Sequence, residues 1–271
     1  MQKKVYLIAG PTASGKSHYA LELAKKTGGE IINADALQVY QDLQILTARP
    51  TAEEQALCPH HLYGVLDAYT TADVAWWLTQ VVPLIEQIDV PILVGGTGMY
   101  LYALENGLCV FPDIPEDIRK TVRALPLDEI KRQVKGCRFT DPQRLKRALE
   151  VQLATGKSIH QFQQENTKKY LEADFHKVLI LPERQKLYER CAKRLHIMLK
   201  TGAVDEVKNL LTLHPTGGVL KAIGVPELTA YLKHELTLEQ AEEKILLATC
   251  HYAKRQTTWF RNKFSADECV S

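Results

Sequence analysis

The stretch Gly10-Pro11-Thr12-Ala13-Ser14-Gly15-Lys16-Ser17 decides the fold of this chain. It has the spacing G-x-x-x-x-G-K-[ST] of a phosphate-binding loop. The apolar run at residues 5–9 precedes it and predicts a buried strand, and apolar residues at helical spacing (Leu21 and Ala24) follow it. A strand, a glycine turn and a helix N-terminus in this order are the context that the motif requires. We therefore predict that this segment binds a di- or triphosphate.

The residues of this loop have separable roles in binding phosphate. Glycines let backbone N–H groups turn inward around phosphate oxygens, and the dipole of the following helix favours negative charge there. Lys16 supplies a positive charge, and the Ser17 hydroxyl is placed to ligate a phosphate-bound Mg²⁺. We expect Mg²⁺ as the cofactor, with Ser17 as its protein ligand. The predicted phosphate-binding residues are Gly10, Pro11, Thr12, Ala13, Ser14, Gly15, Lys16 and Ser17.

Strand and helix patterns alternate in the first part of the chain. Residues 30–33 read as a second strand, a helical pattern runs from about residue 71 to 88, and residues 91–94 form a further short apolar run before another helix. Strands that alternate with helices pair in parallel and are covered by those helices. The expected fold class is α/β, a P-loop NTPase-like parallel sheet with helices on both faces.

The pattern changes at the breaker cluster of residues 111–115, after which helical periodicity continues without strand-like alternation. A strand returns near residue 176. We predict a core formed by residues 1–111 and 176–271, interrupted by a small helical insertion domain at residues 112–175.

Local capping signals mark two of the later helices. Pro142 suits the first turn of a helix that Gly156 can terminate. A Thr237-x-x-Gln240 capping box opens a final helix that continues to about residue 263.

Composition and length limit the possible function classes. The chain has 271 residues, of which 45% are hydrophobic and 24% charged, and its net charge is +2. No apolar run approaches the roughly 20 residues of a membrane span. Six scattered cysteines form no C-x-x-C pair, which argues against a disulfide framework or a zinc site. We expect a cytoplasmic, monomeric protein with no membrane partner.

Positive charge is concentrated in residues 119–147, the basic segment. It contains ten Lys or Arg and three Asp or Glu, a local net charge of +7. The default interpretation of a charge run is a solvated helical surface. In a chain of net charge +2, this concentration favours contact with a polyanion.

An acidic residue provides a second chemical signal. P-loop ATPases and GTPases usually have an apolar strand ending in Asp that helps hold Mg²⁺, whereas residues 91–94 are followed by Gly95 and Gly96. The acid lies instead at the end of the second strand, at Asp35. Ligands of parallel sheets bind at the carboxyl ends of strands. Asp35 is therefore a candidate metal ligand or general base, and it is also compatible with a simple turn residue.

These motifs together resemble the tRNA dimethylallyltransferase family. The resemblance rests on the phosphate loop and on blocks that follow in family order over nearly the whole chain: Asn33-Ala34-Asp35-x-x-Gln38-Val39-Tyr40, Pro59-His60-His61-Leu62, Val94-Gly95-Gly96-Thr97-Gly98-x-Tyr100, Asp141-Pro142-Gln143-Arg144, Ala148-Leu149-Glu150-Val151, Thr155-Gly156-Lys157, Ala222-Ile223-Gly224 and Tyr252-Ala253-Lys254-Arg255-Gln256-x-x-Trp259-Phe260-Arg261. Each block alone is weak, and the joint match is specific. The chain departs from the family at Gly224-Val225-Pro226, where Gly-Tyr followed by Lys or Arg is usual.

The resemblance implies transfer of a dimethylallyl group from dimethylallyl diphosphate to the exocyclic amine of the adenosine 3′-adjacent to the anticodon in tRNA. It implies Asp35 as the catalytic general base and the tRNA anticodon stem-loop as the macromolecular partner. The target base has to leave its stack to reach Asp35. Carried over position by position, the tRNA-binding residues are Asp35, Ala36, Leu37, Gln38, Thr97, Arg119, Gln143, Arg144, Leu145, Lys146 and Arg147.

Three other functions stay open at this point. An isopentenyltransferase that acts on free adenine nucleotides is one, although a mononucleotide needs no polyanion-binding segment. A P-loop nucleotide kinase would bind ATP and release ADP. A non-catalytic RNA-binding P-loop protein would bind tRNA and survive the change Asp35→Asn.

Overall fold

The computed structural model describes residues 2–134, 136–137 and 139–271. Two members of the basic segment, Lys135 and Arg138, lie outside the described residues. The chain divides into two compact units, one formed by Met1–Glu105 with Leu171–Ser271 and the other by Asn106–Tyr170. Both boundaries of the inserted unit fall somewhat earlier in the chain than the expected limits of 112 and 175.

Among the described residues, strands and helices alternate in the N-terminal part of the larger unit, and its C-terminal part is mainly helical. The strands are β1 (Lys4–Ala9), β2 (Glu30–Asn33), β3 (His60–His61), β4 (Pro91–Gly95), β5 (Leu108–Cys109), β6 (Thr167–Lys168), β7 (Asp174–Ile180) and β8 (Glu268–Val270). The helices are α1 (Lys16–Thr27), α2 (Ala52–Gln55), α3 (Val74–Gln87), α4 (Gly98–Asn106), α5 (Glu116–Ala124), α6 (Leu127–Gln133), α7 (Pro142–Thr155), α8 (Ile159–Asn166), α9 (Arg184–Lys200), α10 (Ala203–Thr212), α11 (Val225–Leu232) and α12 (Leu238–Lys263).

The larger unit is built on a six-stranded sheet in the order β3-β2-β4-β1-β7-β8. Every neighbouring pair in this sheet is parallel. Successive side chains of a strand point to opposite faces. On one face Ile8 packs with Ala20 and Leu21 of α1, while Leu7 on the other face is also fully buried. The predicted α/β class with a parallel, P-loop-like sheet is confirmed.

The C-terminal helices form a second core of the larger unit. Apolar side chains of α9 to α12 pack with the loop that follows β2, including Val39, Leu43 and Leu46. This packing holds the loop beside the carboxyl ends of the strands, where ligands of parallel sheets bind.

The inserted unit has its own small core. Val122, Ile130, Leu145 and Leu149 bring α5, α6 and α7 together, and a second cluster includes Ile159 of α8. Strands β5 and β6 form a short antiparallel pair. This pair was not expected, because two-residue strands leave no readable alternation in the sequence.

Both capping predictions are confirmed. The left-handed Gly156 (φ 72°) ends α7, and the Thr237 hydroxyl accepts a hydrogen bond from Gln240 N at the start of α12. Among the described residues, no helix has the length and apolar character needed to cross a membrane.

Candidate active site

The phosphate loop connects β1 to α1 in a conformation that depends on glycine. A Cβ on Gly10 would lie 2.6 Å from Ile180 O, and Gly15 has φ 99° at the N-cap of α1. The Lys16 ammonium donates to Pro11 O at 3.3 Å across the loop. The first N–H groups of a helix have no intrahelical acceptor. The backbone therefore presents donors at the N-terminus of α1, as anion binding requires.

Two arginines that the sequence analysis missed reach the loop from α9. Arg190 donates to Ser14 O at 3.1 Å, and Arg194 donates to the Thr12 hydroxyl. They are four residues apart and so lie on one helix face. Nothing local marks them as site residues, because α9 lies far along the sequence from the loop.

The electrostatics of this region favour an anionic ligand. Burial lowers the pKa of Lys16 to about 8, the Asp35 carboxylate acts against this shift, and the neighbouring Arg194 adds to it. Burial also lowers the pKa of Arg194. The buried Ser14 hydroxyl has no partner among the described residues. Two desolvated cations and an unsatisfied hydroxyl around one loop are the groups that a bound phosphate would satisfy.

Asp35 follows β2 and is fixed by the fully buried Asn33. The Asn33 side chain accepts from Asp35 N at 2.8 Å and donates to Asp35 O at 2.9 Å. Asp35 Oδ1 accepts from Leu37 N at 3.0 Å. One carboxylate oxygen is thus held by a backbone N–H.

The residues around Asp35 are connected by hydrogen bonds within the protein. The Thr97 hydroxyl, which follows β4, accepts from Ala36 N at 2.9 Å. Gln38 donates from its amide to Thr47 O and Ala48 O, both at 2.9 Å. These bonds fix the backbone of residues 35–38, the segment expected to meet the target nucleotide.

Asp35 shares a cavity with the phosphate loop. Its polar lining includes Thr12, Asp35, Arg194 and Tyr252. Its volume is about 80 Å³, and its apolar wall includes Leu37, Leu46, Leu195, Met198, Ile223 and Ile245. The pKa of Tyr252 is raised by burial and by the negative charge of Asp35.

A second cavity of about 370 Å³ lies on the Ser17 side of the loop. Arg49 and Tyr63 contribute to its lining, and Arg194 borders both cavities. Thr12 of the loop therefore lines one cavity and Ser17 the other.

The inserted unit carries the remaining predicted tRNA-binding residues. Gln143 and Arg144 are exposed, and Lys146 and Arg147 are half-buried. Arg144 lies over the Phe139 ring at 5.9 Å and Arg147 over the Phe111 ring at 4.9 Å. These contacts orient guanidinium groups at the surface of the unit.

Two predicted tRNA-binding residues in this unit, Leu145 and Arg119, differ in whether their side chains could contact RNA. Leu145 is 2% exposed and packs in the unit's core, so its side chain supports α7 and is not available to RNA. Arg119 has a buried Nε without a partner among the described residues. A polyanion contact would satisfy that donor.

The expected Mg²⁺ can be tested against the side chains present. No group of three or more His, Cys, Asp or Glu that could hold a metal occurs among the described residues. Mg²⁺ commonly binds through one or two protein oxygens together with substrate phosphates and water. The exposed Ser17 hydroxyl at the start of α1 fits that mode, with the ligand's phosphates as the other donors.

Fold and site together define a P-loop α/β protein with a phosphate loop beside a fixed carboxylate. A sequence model of IPP transferase matches residues 38–263, and one of isopentenyl transferase matches residues 3–62. The chain belongs to the IPP transferase family, and the expected family resemblance is confirmed.

Curated relatives and solved structures agree with this assignment. A tRNA dimethylallyltransferase of Rhizobium etli is 44% identical over 276 residues, covering 95% of this chain and 93% of the relative. A tRNA dimethylallyltransferase of Pelagibacter ubique is 42% identical, covering 98% of this chain and 90% of the relative. A eukaryotic dimethylallyltransferase acting on tRNA has a TM-score of 0.84 at 28% identity, covering 98% of this chain and 74% of its own.

Proposed function

We propose that the protein transfers a dimethylallyl group from dimethylallyl diphosphate to the exocyclic amine of the adenosine 3′-adjacent to the anticodon in tRNA, releasing diphosphate. One observation carries this proposal: Asp35, the phosphate loop and an apolar wall meet in one cavity. An allylic diphosphate needs both an anion site and an apolar surface. The nucleophile needs a base at their junction.

Asp35 acts on the nucleophile. The amine nitrogen forms a bond to the first carbon of the allyl group while the bond from that carbon to the diphosphate oxygen breaks. The electron pair of the broken bond leaves with diphosphate, and the amine loses a proton. We assign that proton to Asp35 Oδ2, because Oδ1 accepts the Leu37 N–H.

The phosphate loop acts on the leaving group. Lys16, Arg194 and the N–H groups at the start of α1 stabilise negative charge that develops on diphosphate. Mg²⁺ held by Ser17 and the diphosphate would supply further charge neutralisation there. The apolar wall around Ile223 and Met198 excludes water from the reacting carbon.

The tRNA partner is favoured by the inserted unit. Its basic segment places several arginines and lysines on short helices, a composition suited to RNA phosphates. The target adenosine has to be unstacked before its amine can reach Asp35. We further propose that the chain works as a monomer in the cytoplasm, where tRNA is available.

Product analysis separates this function from its alternatives. The protein is incubated with Mg²⁺ and dimethylallyl diphosphate, together with either tRNA or AMP. We expect diphosphate release that depends on tRNA and not on AMP. Prenylation of AMP would assign the activity to a free-nucleotide transferase. In a separate incubation with ATP, AMP and Mg²⁺, formation of ADP would assign it to a kinase.

A further inference from the structure

Gln256 is a buried amide that joins two parts of the site from a distant helix. It lies on α12 and is 5% exposed. Its Oε1 accepts from Thr12 N at 2.8 Å, and its Nε2 donates to Gly96 O at 2.8 Å. Because an unpaired buried amide is costly, these two bonds determine the orientation of the side chain.

Gly96 leaves the space that the amide fills. A Cβ on Gly96 would lie 2.2 Å from Gln256 Nε2 and 3.4 Å from Gly10 O. Gly96 directly follows β4, and Gly10 directly follows β1. The ends of these two adjacent strands and the Gln256 amide are thus packed against one another without room for a methyl group.

The bond to Thr12 fixes the part of the loop that faces the cavity. Thr12 lines the same cavity as Asp35, and its hydroxyl accepts from Arg194. With its N–H directed to Gln256 and its hydroxyl to Arg194, Thr12 is held from two helices. A shift of the Gln256 amide would move Thr12 relative to Asp35.

The bond to Gly96 acts on the other half of the site. Thr97, the next residue, accepts from Ala36 N beside Asp35. Tyr252 lies one turn before Gln256 on α12, and its side chain interacts with Thr97. One face of α12 therefore contacts both the phosphate loop and the segment that supports Asp35.

We propose that Gln256 is a positioning residue that sets the register between the phosphate loop and Asp35. It holds Thr12 N and Gly96 O at a fixed separation, so that bound diphosphate and the carboxylate face one cavity. The proposal rests on the proposed function, in which the loop binds diphosphate.

Two variants remove the contact in different ways. Gln256→Met keeps the length of the side chain and removes both hydrogen bonds. Gly96→Ala retains the Gln256 side chain, but the added methyl group displaces its amide. Alanine is tolerated by the backbone there, because Gly96 does not adopt a left-handed conformation. Asn262→Ala is the matched control, since that amide lies on the same helix and bonds to Thr258 O within it.

Calorimetry measures binding of inorganic diphosphate with Mg²⁺, and steady-state assays measure transfer. We expect Gln256→Met and Gly96→Ala to weaken diphosphate binding by about tenfold or more. We expect kcat/KM for dimethylallyl diphosphate to fall by about 10²-fold, as for misplaced reacting groups, with the KM for tRNA unchanged. Asn262→Ala should stay within about twofold of wild type.

Folded Gln256→Met and Gly96→Ala variants that bind diphosphate and turn over like wild type would overturn the proposal. An equally large loss of diphosphate affinity and of kcat/KM in Asn262→Ala would also overturn it. Circular dichroism establishes folding, and Gly96→Ala carries the test if Gln256→Met does not fold. Diphosphate binding is measured without transfer, so a wild-type protein that binds diphosphate but prenylates no tRNA would contradict only the proposed function.

Discussion

At the scale of single residues, the site is organised around one carboxylate, Asp35, which accepts a hydrogen bond from Leu37 N. Asp35 stands at the carboxyl end of β2, where its strand position could be predicted from the sequence. Its surroundings could not be predicted, because Arg194 and Tyr252 come from helices far along the chain. Strand-end positions follow from local patterns, whereas packing of distant helices depends on the whole fold.

The variant Asp35→Asn tests the general base. Asparagine keeps an acceptor for Leu37 N and loses the ability to take a proton. We expect kcat to fall by about 10²–10⁴-fold while diphosphate and tRNA affinities stay near wild type. Asp73→Asn is the control, because Asp73 caps α3 by accepting from Trp76 N and asparagine caps equally well. Near-normal kcat in Asp35→Asn would remove Asp35 from the chemistry.

At the scale of elements, the loop after β2 is fastened by a carboxylate on α10. Glu206 accepts backbone N–H bonds from Gln44, from Ile45 at 2.7 Å and from Leu46 at 2.8 Å. Leu46 lines the cavity that contains Asp35. The stability of this loop and the shape of the site are therefore linked.

The variant Glu206→Ala tests that link. It leaves three N–H groups without their acceptor, and we expect a decrease of about 2–3 kcal/mol in the free energy of unfolding. Urea denaturation measures this decrease. Asp205→Ala is the matched control, because both acids occupy the first turn of α10 and share its helix-dipole effect. Equal decreases in the two variants would show that the bonds from Glu206 to the loop contribute nothing.

The role of the basic segment in tRNA binding can be tested by removing two of its arginines. In Arg119→Ala/Arg144→Ala we expect weaker tRNA binding and a log–log salt slope reduced by about 0.7–0.9 for each phosphate that the variant no longer neutralises. The control is Arg123→Ala/Arg132→Ala, since these arginines are paired with Glu116 and Glu129. Binding of tRNA across a salt series compares the two double variants. If the log–log plots of tRNA affinity against salt concentration were identical for wild type and Arg119→Ala/Arg144→Ala, the basic segment would be only a solvated surface.

The elements themselves differ in how far the sequence predicts them. The strand–loop–helix around Lys16 and the Thr237 capping box of α12 are encoded by neighbouring residues, and both are present. Strand β8 was not predicted, because a three-residue edge strand is defined by its pairing with β7 and not by its own pattern. The contact of Gln256 with the phosphate loop has the same origin, since it joins positions 244 residues apart.

At the scale of the whole molecule, the chain combines a P-loop sheet with a basic inserted unit. The larger unit carries the phosphate loop and Asp35, and the inserted unit carries the basic segment. Neither feature alone distinguishes a tRNA prenyltransferase from a kinase or an RNA-binding protein. The proposed reaction requires both features in one polypeptide.

Mass spectrometry of nuclease-digested tRNA, after incubation with the protein, Mg²⁺ and dimethylallyl diphosphate, tests this central claim most directly. We predict that one C5H8 unit is added to the adenosine 3′-adjacent to the anticodon, and that Asp35→Asn adds none over the same time. Unmodified tRNA after incubation with folded wild-type protein, or a C5H8 unit on a different nucleotide, would contradict the account.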